Sequence, residues 1–279
     1  MELTHIVAAT DESEAGRQAV RTAIELAASA GARVTVMRAV QVSGAVMAGM
    51  TEVLPTAEEL GAPGVQRLQR WVEADLPALE RMPTINYAVA FGIPGVEIAR
   101  FAEHERADLL VLGRKPRSRM ARLLLGDTAD AVARRSRLPC LFVPPTGTLP
   151  REVLVAIDGS DRGMAVLTAA DDFARLVGAG LRVLTVEATP PGEQDALDMA
   201  TPVARTIYIR SQVRNAVGRD VEVRRGEPAD QILAAVDERP PDVLVLGCHR
   251  GGPAGIIEAG STSRRVAHTA PCAVLTVPL

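Results

Sequence analysis

Short apolar runs alternate with helix-period segments along the whole chain. "HIVAA" at residues 5–9 reads as a parallel strand buried on both faces. "EAGRQAVRTAIELAASAG" follows, with Ala19, Val20, Ala23, Ile24 and Ala27 at helical spacing and Gly31 as a C-terminal stop. "ARVTVMRAV", "INYAVA", "DLLVLG" and "LPCLFVP" read as four more strands, with helices at "GVEIARFAEHE" and "TADAVARRS" between them. "VQRLQRWVEADLPALERM" reads as a long helix that Pro77 bends. Strand and helix alternate in this way when a parallel sheet has right-handed crossovers.

The pattern then runs a second time. "THIVAATDES" is matched by "REVLVAIDGS", "GIPGVEIARFAEHERADLLVLG" by "GEPADQILAAVDERPPDVLVLG", and "RLPCLFVPP" by "TAPCAVLTVP". Gly92 and Gly226, Gly113 and Gly247, and Gly126 and Gly260 are each separated by 134 positions, while Asp11 and Asp158 are separated by 147. A constant offset over three markers is the mark of an internal duplication. The first copy carries 13 extra residues (147 minus 134) ahead of Gly92, around "VSGAVMAGMTEVLPTAEELGAP", which read as a long loop with Met47 and Met50 in it. The expected architecture is α/β: two tandem Rossmann-like domains, 1–147 and 148–279, each a five-stranded parallel sheet with helices on both faces. Pro144-Pro145-Thr146-Gly147 is the expected linker.

Composition narrows the function. The 279 residues carry a net charge of -3 and only 3% aromatics. That leaves neither the basic stripe of a duplex binder nor stacking platforms for single strands, which argues against a nucleic-acid partner. No stretch approaches the ~20 apolar residues of a membrane span. The opening "MELTHIVAATDES" has no basic run of the kind that begins a signal peptide. Cys140, Cys248 and Cys272 are too scattered for a disulfide framework or a metal site. A cytoplasmic location is expected, with no membrane partner.

Open parallel sheets bind ligands beyond the carboxyl ends of their strands. Asp158, Gly247 and the Gly260-Ser261-Thr262 run all fall at such ends. Asp158 suits ribose or an adenine edge, and Gly247 allows close backbone approach. Ser261 and Thr262 bring hydroxyls and unpaired N–H groups to a helix N-terminus, where the dipole favours anions. Each has a plainer alternative: Asp158 as the cap of the next helix, Gly247 as relief of crowding, and Gly-Ser as an ordinary cap.

These motifs resemble the universal stress protein family in its tandem form. The resemblance rests on "VAATDES" and "VAIDGS", "GIPGVEI" and "GEPADQI", "DLLVLG" and "DVLVLG", and the Pro-Cys final strands. Members that bind ATP share Gly, two residues, Gly, nine residues, then Gly-Ser or Gly-Thr. The second copy keeps Gly247, Gly260 and Ser261, with Arg250 at the middle glycine. The resemblance implies that Ala156, Ile157 and Asp158 flank an adenosine and that Val186 and Leu246 touch its base. Gly247, Gly260, Ser261 and Thr262 then hold ribose and phosphates, and Arg250 either clamps a phosphate or fills the groove. The implied ligand is ATP or a related adenine nucleotide, with or without Mg, held as a regulator of a stress response.

In the first copy Pro116 replaces the middle glycine and Asp127 replaces the hydroxyl residue. That makes it a degenerate site marked by Asp11, Gly113, Gly126 and Thr128, with Asp127 serving instead as a helix cap. The alternative is a non-nucleotide scaffold in which both sites have decayed. An enzyme is not expected beyond weak ATP hydrolysis, because no nucleophile elbow or metal-ligand spacing is present. The resemblance also implies that the two Pro-Cys edge strands pair within one chain as a pseudo-dimer, leaving a further homodimer open.

Overall fold

The computed structural model describes residues 1–41, 57–114, 127–145, 149–187, 200–248 and 261–279, with backbone only at 57–60, 127, 200–203 and 261. One compact unit takes in Glu2–Leu149 and the other the described residues from Pro150 to Leu279.

The first unit runs β1 (His5–Ala9), α1 (Glu14–Ala30), β2 (Arg33–Val40), α2 (Ala57–Glu73), β3 (Ile85–Phe91), α3 (Pro94–His104), β4 (Leu109–Gly113), α4 (Asp127–Arg135) and β5 (Cys140–Val143). The second repeats it with β6 (Glu152–Ile157), α5 (Asp161–Val177), β7 (Gly180–Glu187), α6 (Ala200–Val217), β8 (Val221–Arg225), α7 (Pro228–Glu238), β9 (Val243–Cys248), α8 (Ser261–Thr269) and β10 (Ala273–Pro278). Strand order is β3-β2-β1-β4-β5 in one unit and β8-β7-β6-β9-β10 in the other, with every pairing inside a unit parallel. Each chain path starts in the middle strand, moves to one edge and then crosses to the far side. The order therefore reverses between β1 and β4, and again between β6 and β9.

The pleat explains both covered faces, since successive side chains point to opposite sides. Val7, Ala9, Leu110, Leu112 and Phe142 pack in one cluster with Ile98 and Ala102 of α3 and Ala129 and Val132 of α4. The intervening Ile6, Ala8, Leu109 and Val111 are equally buried, as are Ala19, Ala23, Ile24 and Ala27 of α1. In the second unit Leu154, Leu184, Leu244 and Val274 pack with Ile232 and Val236 of α7 and Val266 of α8.

Equivalent small devices recur in both units. Gly31 and Gly178 close α1 and α5 in the left-handed region, at φ 69° each. Asp108 Oδ2 accepts from the backbone N–H of Thr4 and His5, and Asp242 Oδ2 from those of Arg151 and Glu152, tying the strand starts together.

Three local expectations change. The long helix begins at Ala57 and stops at Glu73, so Pro77 lies beyond it instead of bending it. Pro77 disfavours helical geometry at Leu76, and Asp75 is held by Arg17 and Arg21 of α1. The stretch from Ala57 to Pro63, read as loop, is helical; Met47 and Met50 lie outside the described residues. Asp127 is the first residue of α4 and not the residue ahead of it, so its charge acts on the helix dipole from within the first turn.

His5 is buried in β1, with Nε2 2.8 Å from Thr35 Oγ1 and Nδ1 3.1 Å from the Glu105 carbonyl. Burial lowers its pKa below the ordinary 6.5, with Arg33 adding to the effect, although the Glu105 hydrogen bond opposes it. The unfolded chain therefore takes up a proton below about pH 6.5 that the folded chain refuses, and stability falls with pH in that window. Urea unfolding should show a loss between about pH 7 and about pH 5. His5→Leu should start lower at pH 7 but slope less; an equal slope would remove His5 as the cause.

Candidate functional site

Both switch points open into a cavity. In the second unit it measures about 260 Å³ and lies between the ends of β6 and β9 and the starts of α5, α7 and α8. Ala156, Ile157, Asp158, Val186, Leu246, Gly247 and Thr262 all line it. Ser261 opens α8; Arg250 and Gly260 lie outside the described residues. Six lining residues were not singled out in the sequence: Gly163, Val166, Pro228, Ile232, Ser263 and Leu279. Pro228 and Ile232 could have been found, because "GEPADQI" puts them four apart on one helical face.

Asp158 is neither the cap of α5 nor a bystander. Ser160 is the cap, its hydroxyl accepting from Gly163 N–H at 3.1 Å. Asp158 Oδ1 accepts from Ser160 N at 3.0 Å and from Ser160 Oγ at 2.6 Å, which holds the cap in place. Gly163 is required next to it: a Cβ there would come within 2.6 Å of Asp158 Oδ1. The first unit repeats the arrangement with Asp11, Ser13 and Gly16.

The floor of the second cavity is apolar and its α8 end is polar. Ser263 Oγ donates to the Gly247 carbonyl at 2.7 Å, fastening the first turn of α8 to the end of β9. That turn exposes N–H groups with no partner inside the helix, flanked by Ser261, Thr262 and Ser263 and followed by Arg264. Glu187, at the end of β7, accepts from Thr206 and Arg225; these contacts, the Thr206 hydroxyl foremost, hold its carboxyl below the usual range. Arg205 of α6 reaches the Asp158 carbonyl at 3.1 Å.

Gly247 itself has a packing role. A Cβ at 247 would stand 2.8 Å from Leu279 Cδ1 and 2.9 Å from Val166 Cγ2, and both of these side chains also line the cavity. Burial pushes the Cys248 thiol up to about 11 against the smaller opposing effect of a Thr276 hydrogen bond, which disfavours its thiolate.

In the first unit the matching cavity measures about 240 Å³ and is lined by Asp11, Gly113 and Thr128 among others. Gly126 and Pro116 lie outside the described residues. Here Glu12 stands where the second unit has Gly159, and both adopt positive φ, 63° and 73°. Arg38 and Arg67 bind the two Glu12 carboxylate oxygens and hold a non-glycine residue in that uncommon conformation. No group of His, Cys, Asp and Glu capable of holding a metal occurs among the described residues. No helix there is long and apolar enough to cross a membrane.

Fold and cavities together define a tandem parallel α/β protein with a crevice at the switch point of each unit. Residues 2–144 and 150–278 each match the Universal stress protein family, and the chain belongs to that family. A universal stress protein of Mycobacterium tuberculosis is 26% identical over 241 residues, 80% of each chain. The crystal structure of a universal stress protein from Archaeoglobus fulgidus superposes with a TM-score of 0.67 at 20% identity, covering 100% of this chain and 99% of that one. A functionally unknown protein from Pseudomonas aeruginosa gives 0.71 at 15% identity, over 99% and 92%. These two likenesses speak for the fold alone.

Proposed function

We propose that the second unit binds an adenine nucleotide, ATP or a close relative, with or without Mg, and that the bound ligand regulates the protein in a cellular stress response. One observation carries the reading. The cavity at the β6–β9 switch point joins an apolar slot, walled by Ala156, Val186, Ile232 and Leu246, to the hydroxyl-rich first turn of α8. The slot suits a flat base, and Asp158 stands where ribose hydroxyls would fall. The α8 turn offers backbone N–H groups and a favourable dipole to phosphates. The ligand is a regulator and not a substrate in this reading, since none of the described residues round the slot is arranged as nucleophile and base.

A non-nucleotide scaffold is the second reading. Gly247 favours it, because Leu279 and Val166 account for that glycine without any ligand.

Thermal unfolding with and without Mg-ATP separates the two. Ligand at a hundredfold excess over its Kd should stabilise the chain by about 2.7 kcal/mol, a midpoint rise of several degrees. Mass spectrometry of the denatured protein should also release adenine nucleotide. No shift at millimolar ATP, with no nucleotide released, would leave the scaffold reading standing.

A further inference from the structure

A further cavity lies at the opposite end of the first unit's sheet, where the strands begin. It measures about 310 Å³ and is lined by Thr4 ahead of β1, the last turn of α1, Arg33 of β2 and residues 81–84 ahead of β3. That volume falls within the ~300–1,000 Å³ of small-molecule pockets. The cavity owes one wall to extra chain. Residues 74–84 connect α2 to β3, whereas residues 218–220 suffice to connect α6 to β8. The longer connection is fixed at its start by the ion pairs of Asp75 with Arg17 and Arg21. At its end the Thr84 carbonyl accepts from Val34 N–H at 2.9 Å. Pro77 and Pro83 stiffen the stretch between.

Arg33 and Arg81 both line this cavity, and neither makes an ion pair with any described residue. Elsewhere in the unit Arg17, Arg21, Arg38 and Arg67 all meet carboxylates. The Arg81 side chain has no hydrogen-bond partner among the described residues either. The Arg33 guanidinium has His5, with Nη2 2.9 Å from Nδ1. That ring nitrogen also lies 3.1 Å from the Glu105 carbonyl. One nitrogen cannot accept from Arg33 and donate to Glu105 at once, so Arg33 can leave while His5 keeps a partner. The second unit treats the same end differently. Glu152 stands at the His5 position and Gly180 at the Arg33 position, each 147 further on, and Glu152 pairs with Arg182 and Arg239. Those charges close among themselves, while two cations of the first unit do not.

The acids on the surrounding elements leave them uncancelled. Asp108 is engaged by Thr4 and by His5 N–H, and Glu105 meets His104. Glu25 of α1 is half-buried, and that burial pushes its carboxyl up despite Arg21. Glu2 and Glu80 are exposed, and neither pairs with Arg33 or Arg81. Arg106, ahead of β4, is a further cation at this end of the sheet. Against these, α1 closes at Gly31, and the carbonyl end of its dipole disfavours a doubly negative group. One negative charge suits the balance better than two. A planar carboxylate matches the guanidinium fork, and Ala32, Met82 and Pro83 offer apolar contact beside it.

We infer that this cavity binds a small organic carboxylate. The carboxylate takes the place of His5 on Arg33 and engages Arg81, and the carbon body rests on Ala32, Met82 and Pro83. The site lies at the amino ends of the strands, away from the switch point of its unit, so the inference stands whatever fills the second unit.

Titration of the full chain with acetate, hexanoate and benzoate, followed by NMR of ring-labelled histidines, tests it. At least one of the three should move the His5 ring signals saturably, with a Kd of ~0.1–5 mM, while His268 of the second unit stays still. The matching amide, equal in shape but uncharged, should bind about tenfold more weakly or worse. Arg81→Gln, at an exposed position, should weaken the carboxylate by about tenfold or more, and Arg81→Lys by less. Circular dichroism checks that both variants fold. No saturable shift below ~50 mM with any of the three would overturn the site. So would a Kd that Arg81→Gln leaves within about twofold of wild type. Inorganic phosphate binding more tightly than every carboxylate would overturn the assigned ligand class.

Discussion

Ser261→Asp is expected to abolish nucleotide binding in the second unit while leaving the fold unharmed. The substitution copies into α8 the residue that the first unit already carries at Asp127, so the equivalent backbone demonstrably tolerates it at the start of α4. Its cost falls on the ligand. At about 4 Å and an effective dielectric of about 20, a carboxylate facing a phosphate costs roughly 4 kcal/mol, or about a thousandfold in Kd. Calorimetric titration with Mg-ATP reads this directly, and unfolding in urea without ligand should differ from wild type by less than about 0.5 kcal/mol. Adenosine, lacking the tail, should bind the variant nearly as well as wild type. An ATP affinity within threefold of wild type, by contrast, would mean that the α8 turn is not where phosphates sit.

Gly113→Ala should cost the first unit about 3 kcal/mol, close to the upper limit for inserting one methyl into a packed core. The added Cβ would lie 2.4 Å from both C and O of Ala15 and 2.8 Å from Gly16 N. These are backbone atoms in the first turn of α1, anchored by the Ser13 cap and by Asp11 behind it. Relief requires the whole helix start to move. Gly247→Ala at the equivalent position should cost only about 1 kcal/mol, because its nearest neighbours are the side-chain ends of Leu279 and Val166. Urea unfolding of the two variants distinguishes a backbone contact from a side-chain contact. Equal losses would show that the two glycines share one role.

That contrast marks the boundary between what sequence reading reached and what it did not. Gly113 and Gly247 are indistinguishable as letters, each ending a "LVLG" strand 134 positions from the other. Which neighbour crowds each glycine depends on the approach of α1 in one unit and of Leu279 in the other, and no local pattern encodes either approach. The role of Asp158 was likewise ambiguous in sequence between cap and ligand-facing group. In the fold it braces Ser160, which does the capping, a division of labour that needs the turn geometry to be seen. The helix expected to bend at Pro77 ends at Glu73 instead, since proline's restriction on its predecessor combines with ion pairs from α1 that lie far away in sequence.

The strands, the duplication and the parallel α/β class were all legible beforehand, because burial on both faces imposes a continuous apolar run, helix packing imposes a 3.6-residue period, and a copied unit keeps its offsets. These are constraints that each segment must meet by itself. The survival of a cavity in the first unit was not legible. It depends on Ala9, Ala39, Pro94, Ile98 and Leu112 arriving together from four separate elements, and each of them, taken singly, is an ordinary core residue. Only closure of the sheet order at the switch point brings them to one place, so the cavity is visible in the fold and not in the order of the letters.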